Sequence, residues 1–220
     1  MYSTPPCDRL LVGASGSIHV AQLGDYLFAL KRSFTSELRL ILTASASEMV
    51  SSRHLSLYTD GAPVTDIWGN SEVKAPHISL SRWAEMFLVL PASADILGKA
   101  ANGIADDLLS TTIVSYERTI VFAPAMNAAM WKSRAVQRNV ETLESDGHYV
   151  LQPEPITSIT SEESDSGFGP TPDTLLAAAW HVRMRLLRAG YWKAATTTAP
   201  ASPYEQRRQL EIVQVTGNTP

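Results

Sequence analysis

The sequence is poor in cysteine and in charged residues of either sign. Its 220 residues include one cysteine, and Asp, Glu, Lys and Arg together make up 18% of the chain. A single cysteine cannot form a disulfide within the chain, so nothing demands an oxidising compartment. The net charge is −4 and the basic residues are scattered, so we expect no binding to nucleic acid or to an anionic membrane. No Cys/His group has metal-ligand spacing, and we predict no metal site.

Long apolar runs and several well-known catalytic motifs are also missing. No run approaches the roughly 18 apolar residues of a membrane span. The opening MYSTPPCDRL lacks the basic-then-apolar order of a signal peptide and places Cys7 in a polar lead, so we expect a cytoplasmic protein. There is no Walker lysine and no Gly-x-Ser-x-Gly turn. Nucleoside triphosphate binding and acyl transfer through an activated serine therefore have no support.

Short apolar runs alternate with glycine-bearing or small-residue turns and amphipathic stretches. In the first such unit Val20, Leu23, Leu27 and Leu30 share one side of a predicted helix. Repeated strand, turn and helix over some 150 residues predicts an α/β fold, a doubly wound parallel sheet in a single domain. The predicted strands are residues 10–12, 38–42, a run ending at Pro91, residues 119–123 and the stretch HYVLQPEP.

Two segments interrupt this rhythm. Residues 153–173 are rich in Ser, Glu, Pro and Gly without an apolar period, and we predict a long loop there. The chain after residue 190 is rich in Thr and Pro. The predicted organisation is a domain over residues 1–190, with 153–173 as a lid, and a partly mobile tail over 191–220.

The predicted strands end in small and polar residues. Four stretches stand at these ends: residues 13–17, 43–45, 91–95 and 124–127. In an open parallel sheet, ligands bind beyond the carboxyl ends of the strands, and small residues with hydroxyls at a helix start suit a phosphate. The first two stretches therefore suggest a phosphate cradle, although such turns equally often serve only to join a strand to a helix.

His77 is the one histidine with a candidate role. It follows Pro76 in a connecting segment, where a surface or packing role is the more frequent one. A position facing the pocket would instead suit proton transfer or carboxylate binding, because imidazole titrates near neutrality.

Several motifs, taken in order, resemble a known family, the homo-oligomeric flavin-containing cysteine decarboxylases. The similar stretches are VGASGSI, LTASAS, PHISLSRWAEMFLVLPASADILGKAANGIADDLLS and PAMNAAMW, within roughly residues 9–175. The most specific element is the family's P-x-M-N-x-x-M-W, matched at Pro124, Met126, Asn127, Met130 and Trp131. Asp95 and Ile96 depart from the family, which usually shows Asn and Thr there.

The resemblance implies a Rossmann-like (flavodoxin-like) subunit that forms homotrimers, often assembled into a dodecamer, with FMN between neighbouring subunits; FAD is also possible. It implies oxidation of a cysteine thiol to a thioaldehyde, which acts as the electron sink for loss of the adjacent carboxylate as CO2. The implied catalytic residues are His77 and Asn127. The implied cofactor-binding residues are Gly13, Ala14, Ser15, Gly16, Ser17, Thr43, Ser45, Ala92, Ser93, Ala94 and Asp95. The implied substrate-binding residues are Pro124, Met126, Asn127, Met130, Trp131 and Phe168.

Two absences favour one branch of the family. Residues 153–173 contain no cysteine, unlike the coenzyme A branch, and only about thirty residues follow Gly190, which leaves no room for a ligase domain. We therefore expect decarboxylation of the C-terminal cysteine of a ribosomally made precursor peptide, giving an aminoenethiol for aminovinyl-cysteine formation in lanthipeptide or linaridin biosynthesis. The expected partners are that peptide and lanthipeptide-modifying enzymes. The alternatives are a phosphopantothenoylcysteine decarboxylase, a non-catalytic flavin-binding regulatory subunit, and a flavodoxin-like domain of another purpose.

Overall fold

The computed structural model describes residues 6–66, 75–157 and 164–188, without the side chains of residues 155–157 and 164–168. The predicted tail, residues 191–220, lies outside these ranges. Five strands form the main sheet: β1 (Cys7–Ala14), β2 (Thr35–Leu42), β3 (Met86–Ala92), β4 (Ile120–Pro124) and β5 (Tyr149–Val150). A 3₁₀ helix (Ile18–Gln22) and nine α-helices accompany them in the described ranges: α1 (Leu23–Ser33), α2 (Ala44–Met49), α3 (Ser52–Leu55), α4 (Pro76–Trp83), α5 (Ala94–Ala101), α6 (Leu108–Ser115), α7 (Ala128–Trp131), α8 (Arg134–Ser145) and α9 (Pro172–Arg188).

The strands pair in the order β2-β1-β3-β4-β5, and every pair in this sheet is parallel. Leu10 lies opposite Leu38 of β2 and Met86 of β3. The chain moves outward from β1 to β2 and then returns to the other side of β1, so the switch point lies between β1 and β3. The predicted doubly wound, flavodoxin-like fold is confirmed.

Both faces of the sheet are covered, which explains why its strands are almost continuously apolar. Along β1, Leu10 and Val12 face one core cluster and Leu11 faces the other. The first cluster contains residues of α1 and α9, and the second contains residues of α4, α5, α6 and α8. The predicted apolar side of the first helical unit is buried at Val20, Leu23, Leu27 and Leu30.

The placement of Cys7 in a polar lead is wrong. Cys7 begins β1, pairs in register with Thr35 and is fully buried. Burial raises the pKa of its thiol to about 12, which makes Cys7 an inert core residue. The polar neighbours in the sequence hid this strand start, because a free cysteine packs as a small hydrophobe.

The predicted loop over residues 153–173 contains regular structure. Strands β6 (Glu154–Thr157) and β7 (Ser164–Gly169) pair antiparallel as a hairpin apart from the main sheet. Gly169, with a φ of +132°, closes the hairpin against the carbonyl oxygen of Pro124, where an added Cβ would approach within 3.4 Å. The hairpin has no apolar alternation, so its pairing left no periodic signal in the sequence. Residues 158–163 and the side chain of Phe168 lie outside the described part.

In the described ranges, no helix combines the length and the apolar character that crossing a bilayer requires.

Candidate functional site

Four strand ends meet at the carboxyl edge of the sheet, and each carries one of the small-residue stretches singled out from the sequence. Because neighbouring strands are parallel, their carboxyl ends share this edge. Backbone and hydroxyl hydrogen bonds connect the loops after β1, β3 and β4, and van der Waals contact connects the loop after β1 with the start of α2. The structure thus brings the predicted cofactor residues and the PAMNAAMW segment together.

Ser15 joins β1 to β3 at the switch point. Its Oγ donates to the carbonyl oxygen of Pro91 at 2.7 Å and accepts from the Ser93 N–H at 2.8 Å. Its own backbone N–H also donates to Pro91 O, at 3.1 Å. Only 2% of Ser15 is exposed, so these bonds are shielded from water. The Ser15 hydroxyl therefore uses both its donor and an acceptor site to connect the end of β1 to the end of β3.

Ser17 joins β1 to the end of β4. Its Oγ donates to the carbonyl oxygen of Ala125 at 2.9 Å, and the Ala125 N–H donates to Ala92 O at 3.0 Å. Three strand ends are therefore connected through Ala125. Nothing in the sequence pattern predicted this connection, because it joins positions 108 residues apart.

The two glycines of the first turn serve close packing. A Cβ at Gly13 would lie 2.2 Å from a methyl carbon of Leu109, on α6. A Cβ at Gly16 would lie 2.5 Å from the Cβ of Ser45. Real Cβ atoms do not approach this closely, so a side chain at Gly13 would have to displace the Leu109 methyl group, and one at Gly16 would push the turn away from α2. The absence of a side chain at Gly16 lets the β1 turn close against α2.

The hydroxyl groups at the carboxyl edge form two groups. Those of the first group donate their protons to backbone carbonyl oxygens, and those of the second do not. Ser15 and Ser17 donate theirs to carbonyl oxygens. Thr43 and Ser93 are N-caps whose oxygens accept from the N–H groups of Ala46 at 3.2 Å and Ile96 at 3.3 Å, so their protons remain available.

Ser45 completes the second group, because it is exposed at the start of α2 beside Thr43. The first N–H groups of a helix also lack partners within the helix. Thr43, Ser45 and these N–H groups together form an uncharged donor set that fits a phosphate monoester such as the one of FMN.

Asn127 caps α7. Its Oδ1 accepts from the Met130 N–H at 2.8 Å, while the side chain lies at the surface. An amide whose oxygen is used in this way still has two N–H donors to offer. In the same motif Met126 is buried in the core and Met130 is 44% exposed. The motif therefore presents one oriented amide at the edge, beside an exposed methionine.

His77 stands in the first turn of α4, directly after Pro76. Since α4 ends just before β3 begins, its first turn points back towards the carboxyl edge. His77 Nδ1 is buried and has no hydrogen-bond partner among the described residues. The preceding Ala75 has φ 54° and ψ 68°, a left-handed conformation that costs a non-glycine residue roughly 1 kcal/mol or more. A buried imidazole nitrogen without a hydrogen-bond partner, next to a residue with a strained backbone, is consistent with a role in proton transfer or substrate binding.

No hydrogen bond joins His77 to the four strand ends within residues 6–66, 75–157 and 164–188. The position of His77 is therefore set by helix α4, which packs against α6.

Asp95 forms an ion pair within its own helix, α5. Its carboxylate pairs with Lys99 one turn later at 3.3 Å, and 71% of the side chain is exposed. Lys99 also pairs with Asp106 at 3.1 Å and Asp107 at 3.6 Å. Burial alone would lower the pKa of Lys99, but hydrogen bonds to Asp106 and Asp95 hold it above its usual range. This charge cluster links the start of α5 to that of α6, and no motif in the sequence had indicated it.

Comparison with known proteins decides the family. The sequence profile described as Flavoprotein matches residues 3–178. The chain belongs to the flavoprotein family. Mersacidin decarboxylase of Bacillus sp. (strain HIL-Y85/54728) is 36% identical over 145 residues, which cover 66% of this chain and 73% of that protein. The resemblance to flavin-containing cysteine decarboxylases is confirmed.

Solved structures of cysteine decarboxylases are also similar. The FMN-dependent cysteine decarboxylase SpaF is 33% identical with a TM-score of 0.68, over 80% of this chain and 97% of that one. EpiD in complex with the substrate peptide DSYTC is 27% identical with a TM-score of 0.68, over 79% of this chain and 99% of that one.

A second group of relatives consists of longer proteins. The coenzyme A biosynthesis bifunctional protein CoaBC of Mycobacterium tuberculosis is 34% identical over 165 residues, which cover 75% of this flavoprotein. The match covers 38% of CoaBC. This flavoprotein thus spans little more than a third of those relatives.

Proposed function

We propose that this flavoprotein is an FMN-dependent cysteine decarboxylase that converts the C-terminal cysteine of a ribosomally made precursor peptide to an aminoenethiol, for aminovinyl-cysteine formation. The observation that carries the proposal is the position of Asn127, whose oriented amide stands at the same sheet edge as the uncharged donors of Thr43 and Ser45. The similarity to mersacidin decarboxylase supports the same reaction.

The cofactor would lie across the carboxyl edge. Thr43 and Ser45 would hold its phosphate, and residues 92–94 would lie against its ring system. The turn of residues 13–17 would shape the cradle, since Gly16 allows the close approach to Ser45. FMN supplies a two-electron acceptor for oxidation of the substrate thiol. The FMN dependence of the similar enzyme SpaF supports FMN over FAD.

The reacting end of the peptide would be held by Asn127. Its amide donates to the substrate carboxylate without adding a positive charge, so the carboxylate is oriented but not strongly stabilised, and CO2 can leave. His77 would accept the thiol proton, because its Nδ1 has no competing partner in the described part of the chain. Pro124 and Met126 would shape the floor, with Met130 and Trp131 beside the peptide.

Residues further from the chemistry would bind the rest of the peptide. The hairpin β6–β7 lies against α7 and the end of β4, and we propose that it covers a peptide bound there. Phe168 would cap the peptide. The EpiD complex with DSYTC, a peptide ending in cysteine, supports a substrate of this kind. A homotrimer, its assembly into a dodecamer, and lanthipeptide-modifying partner enzymes remain predictions.

The similarity to CoaBC favours one second candidate, decarboxylation of phosphopantothenoylcysteine. The two activities are separated by incubating the purified protein with a peptide ending in cysteine, with the same peptide ending in serine, and with phosphopantothenoylcysteine. We expect loss of CO2 and two hydrogens, by mass spectrometry, from the cysteine peptide alone. Turnover of phosphopantothenoylcysteine alone would establish the second candidate. Bound flavin without turnover of either would indicate a regulatory flavoprotein.

The cofactor is identified separately. Heating the yellow protein releases it, and its mass distinguishes FMN from FAD. A colourless protein that binds neither flavin would contradict the proposal at its first step.

A further inference from the structure

We infer that Ser17 is a positioning residue for Asn127 and does not hold the cofactor phosphate. The inference rests on the proposed function for the role of Asn127, but the hydrogen bonds of Ser17 are observed independently of it. The sequence placed Ser17 among the phosphate-binding hydroxyls because small hydroxyl residues in a turn suit an anion.

The proton of the Ser17 hydroxyl is already used. A phosphate oxygen only accepts hydrogen bonds, and a serine hydroxyl has one proton to donate. Ser17 Oγ donates that proton to Ala125 O at 2.9 Å. Both residues are buried, Ser17 with 8% and Ala125 with 3% exposed. A hydroxyl that turned to a phosphate would leave the Ala125 carbonyl buried without this donor, which is costly.

The bond acts on the segment that carries Asn127. Ala125 stands two residues before Asn127, at the point where β4 ends and α7 begins. The Ala125 N–H is held by Ala92 O at 3.0 Å, and Gly169 packs against the Ala125 Cβ. The backbone N–H of Ala125 is thus bound by Ala92, and its backbone carbonyl is bound by Ser17. Without the bond from Ser17, the Ala125–Met126 peptide can rotate, and the amide of Asn127 moves with it.

The experiment separates cofactor binding from peptide binding. Ser17→Ala removes the donor, and Ser17→Thr keeps it in an extended backbone (φ −116°, ψ 147°) that suits threonine. Two quantities are measured: the Kd for FMN, by quenching of flavin fluorescence, and the Kd for a peptide ending in serine, by calorimetry with FMN saturating. Ser56→Ala is the matched control, since Ser56 Oγ donates to a carbonyl at 2.8 Å on the outer part of the fold.

We expect Ser17→Ala to leave the FMN Kd within about 2-fold and to weaken peptide binding by about 10-fold, the size of one buried hydrogen bond. Ser17→Thr should restore peptide binding to within about 3-fold, and Ser56→Ala should change neither Kd. The double variant Ser17→Ala/Asn127→Ala should bind the peptide no more weakly than Asn127→Ala alone, because both changes remove one interaction. If Ser17→Ala does not fold, Ser17→Cys, a weaker donor, carries the same comparison.

The opposite results would overturn the inference. A 10-fold weaker FMN Kd with unchanged peptide binding would make Ser17 a phosphate ligand, and additive losses in the double variant would separate it from Asn127. Failure of the proposed function has a different signature: the wild-type protein would bind and convert no cysteine-terminated peptide, while the FMN Kd of Ser17→Ala would still decide whether Ser17 holds the phosphate.

Discussion

The two edges of the sheet treat buried polar groups differently. At the carboxyl edge the buried hydroxyls of Ser15 and Ser17 hold backbone carbonyls, while Thr43 and the exposed Ser45 keep donors to offer. At the amino edge the buried carboxylate of Glu85 and the guanidinium of Arg183 are bound to each other. A donor left with spare hydrogen-bonding capacity next to solvent can bind a ligand, whereas buried charges paired with each other stabilise the fold.

Glu85 is the centre of the amino edge. Its carboxylate accepts from the Asp8 N–H at 3.0 Å and from Arg183 Nη2 at 3.4 Å, with Arg9 at 3.8 Å. Arg183 Nε donates to Pro6 O at 2.7 Å, so α9 is held to the start of β1. Both members of the Glu85–Arg183 pair have side chains only 6% exposed. This edge joins the first strand and the last helix of the described fold.

The largest effect on activity is expected from substitutions of the proposed catalytic residues, which should leave the amino edge of the sheet unchanged. His77→Asn and Asn127→Ala should each lower kcat by at least about 100-fold, the usual size of a lost proton-transfer group or oriented donor. FMN should remain bound, which absorbance of the purified variants checks. Turnover within a few-fold of wild type would remove that residue from the mechanism, and a colourless variant would show that it binds the cofactor.

At the amino edge, Glu85→Ala should destabilise the fold by about 3–5 kcal/mol, because it leaves Arg183 buried without its carboxylate. Urea unfolding monitored by circular dichroism measures this loss. The folded fraction at low temperature should keep the wild-type kcat, since Glu85 lies at the edge opposite the site. Unchanged stability, or a lower kcat per folded molecule, would contradict the division between the two edges.

His148 should make the stability of the fold depend on pH. Its Nδ1 accepts from the N–H of Ile120, the first residue of β4, and burial lowers its pKa although Asp146 partly opposes this. Burial also lowers the pKa of His19. A histidine with a lowered pKa in the folded state binds its proton more readily when unfolded, so stability is full above about pH 6.5 and falls as pH drops below it.

His148→Asn keeps an acceptor near the position of Nδ1 and removes the titration. Unfolding free energies at pH 7.5, 6.5 and 5.5 should therefore fall less steeply for this variant than for wild type, with a residual slope from His19. Equal slopes would show that His148 does not contribute to the pH dependence.

The smallest effect is expected at Asp95. Asp95→Asn removes one exposed i,i+4 ion pair with Lys99, which changes stability by about 0.5 kcal/mol or less. Because the carboxylate points to Lys99, the FMN Kd should change by no more than about 2-fold. Thermal unfolding and flavin titration check both values. A large gain in FMN affinity would show that residue 95 contacts the cofactor and that asparagine is the better ligand.

Local sequence patterns were enough to predict the parallel sheet and the stretches that end its strands, but not helix α4, where a connecting segment was predicted, or the β6–β7 hairpin. The stretches singled out at the strand ends contain Thr43, Ser93 and Asn127, and all three residues are N-caps. The cap is a local interaction between a side chain and an N–H two or three residues later, so a single sequence contains it. The PAMNAAMW motif predicted the family for the same reason, since its residues are neighbours in the chain.

Contacts between distant segments had no such signal. The buried start of β1 at Cys7, the left-handed Ala75 and the β6–β7 hairpin depend on what packs against them. The sequence also could not predict which serine hydroxyls at the carboxyl edge donate to carbonyl oxygens. It gave no reason to distinguish Ser15, Ser17 and Ser45.

The sequence by itself determined a doubly wound sheet and, through its resemblance to known motifs such as PAMNAAMW, the family to which the protein belongs. Only the tertiary structure decided which hydroxyl donates its proton to a neighbouring strand and which keeps its proton available. Periodicity and capping act over a few residues, whereas a hydrogen bond such as the one from Ser17 to Ala125 exists only after β1 and β4 have been brought to one edge by the fold.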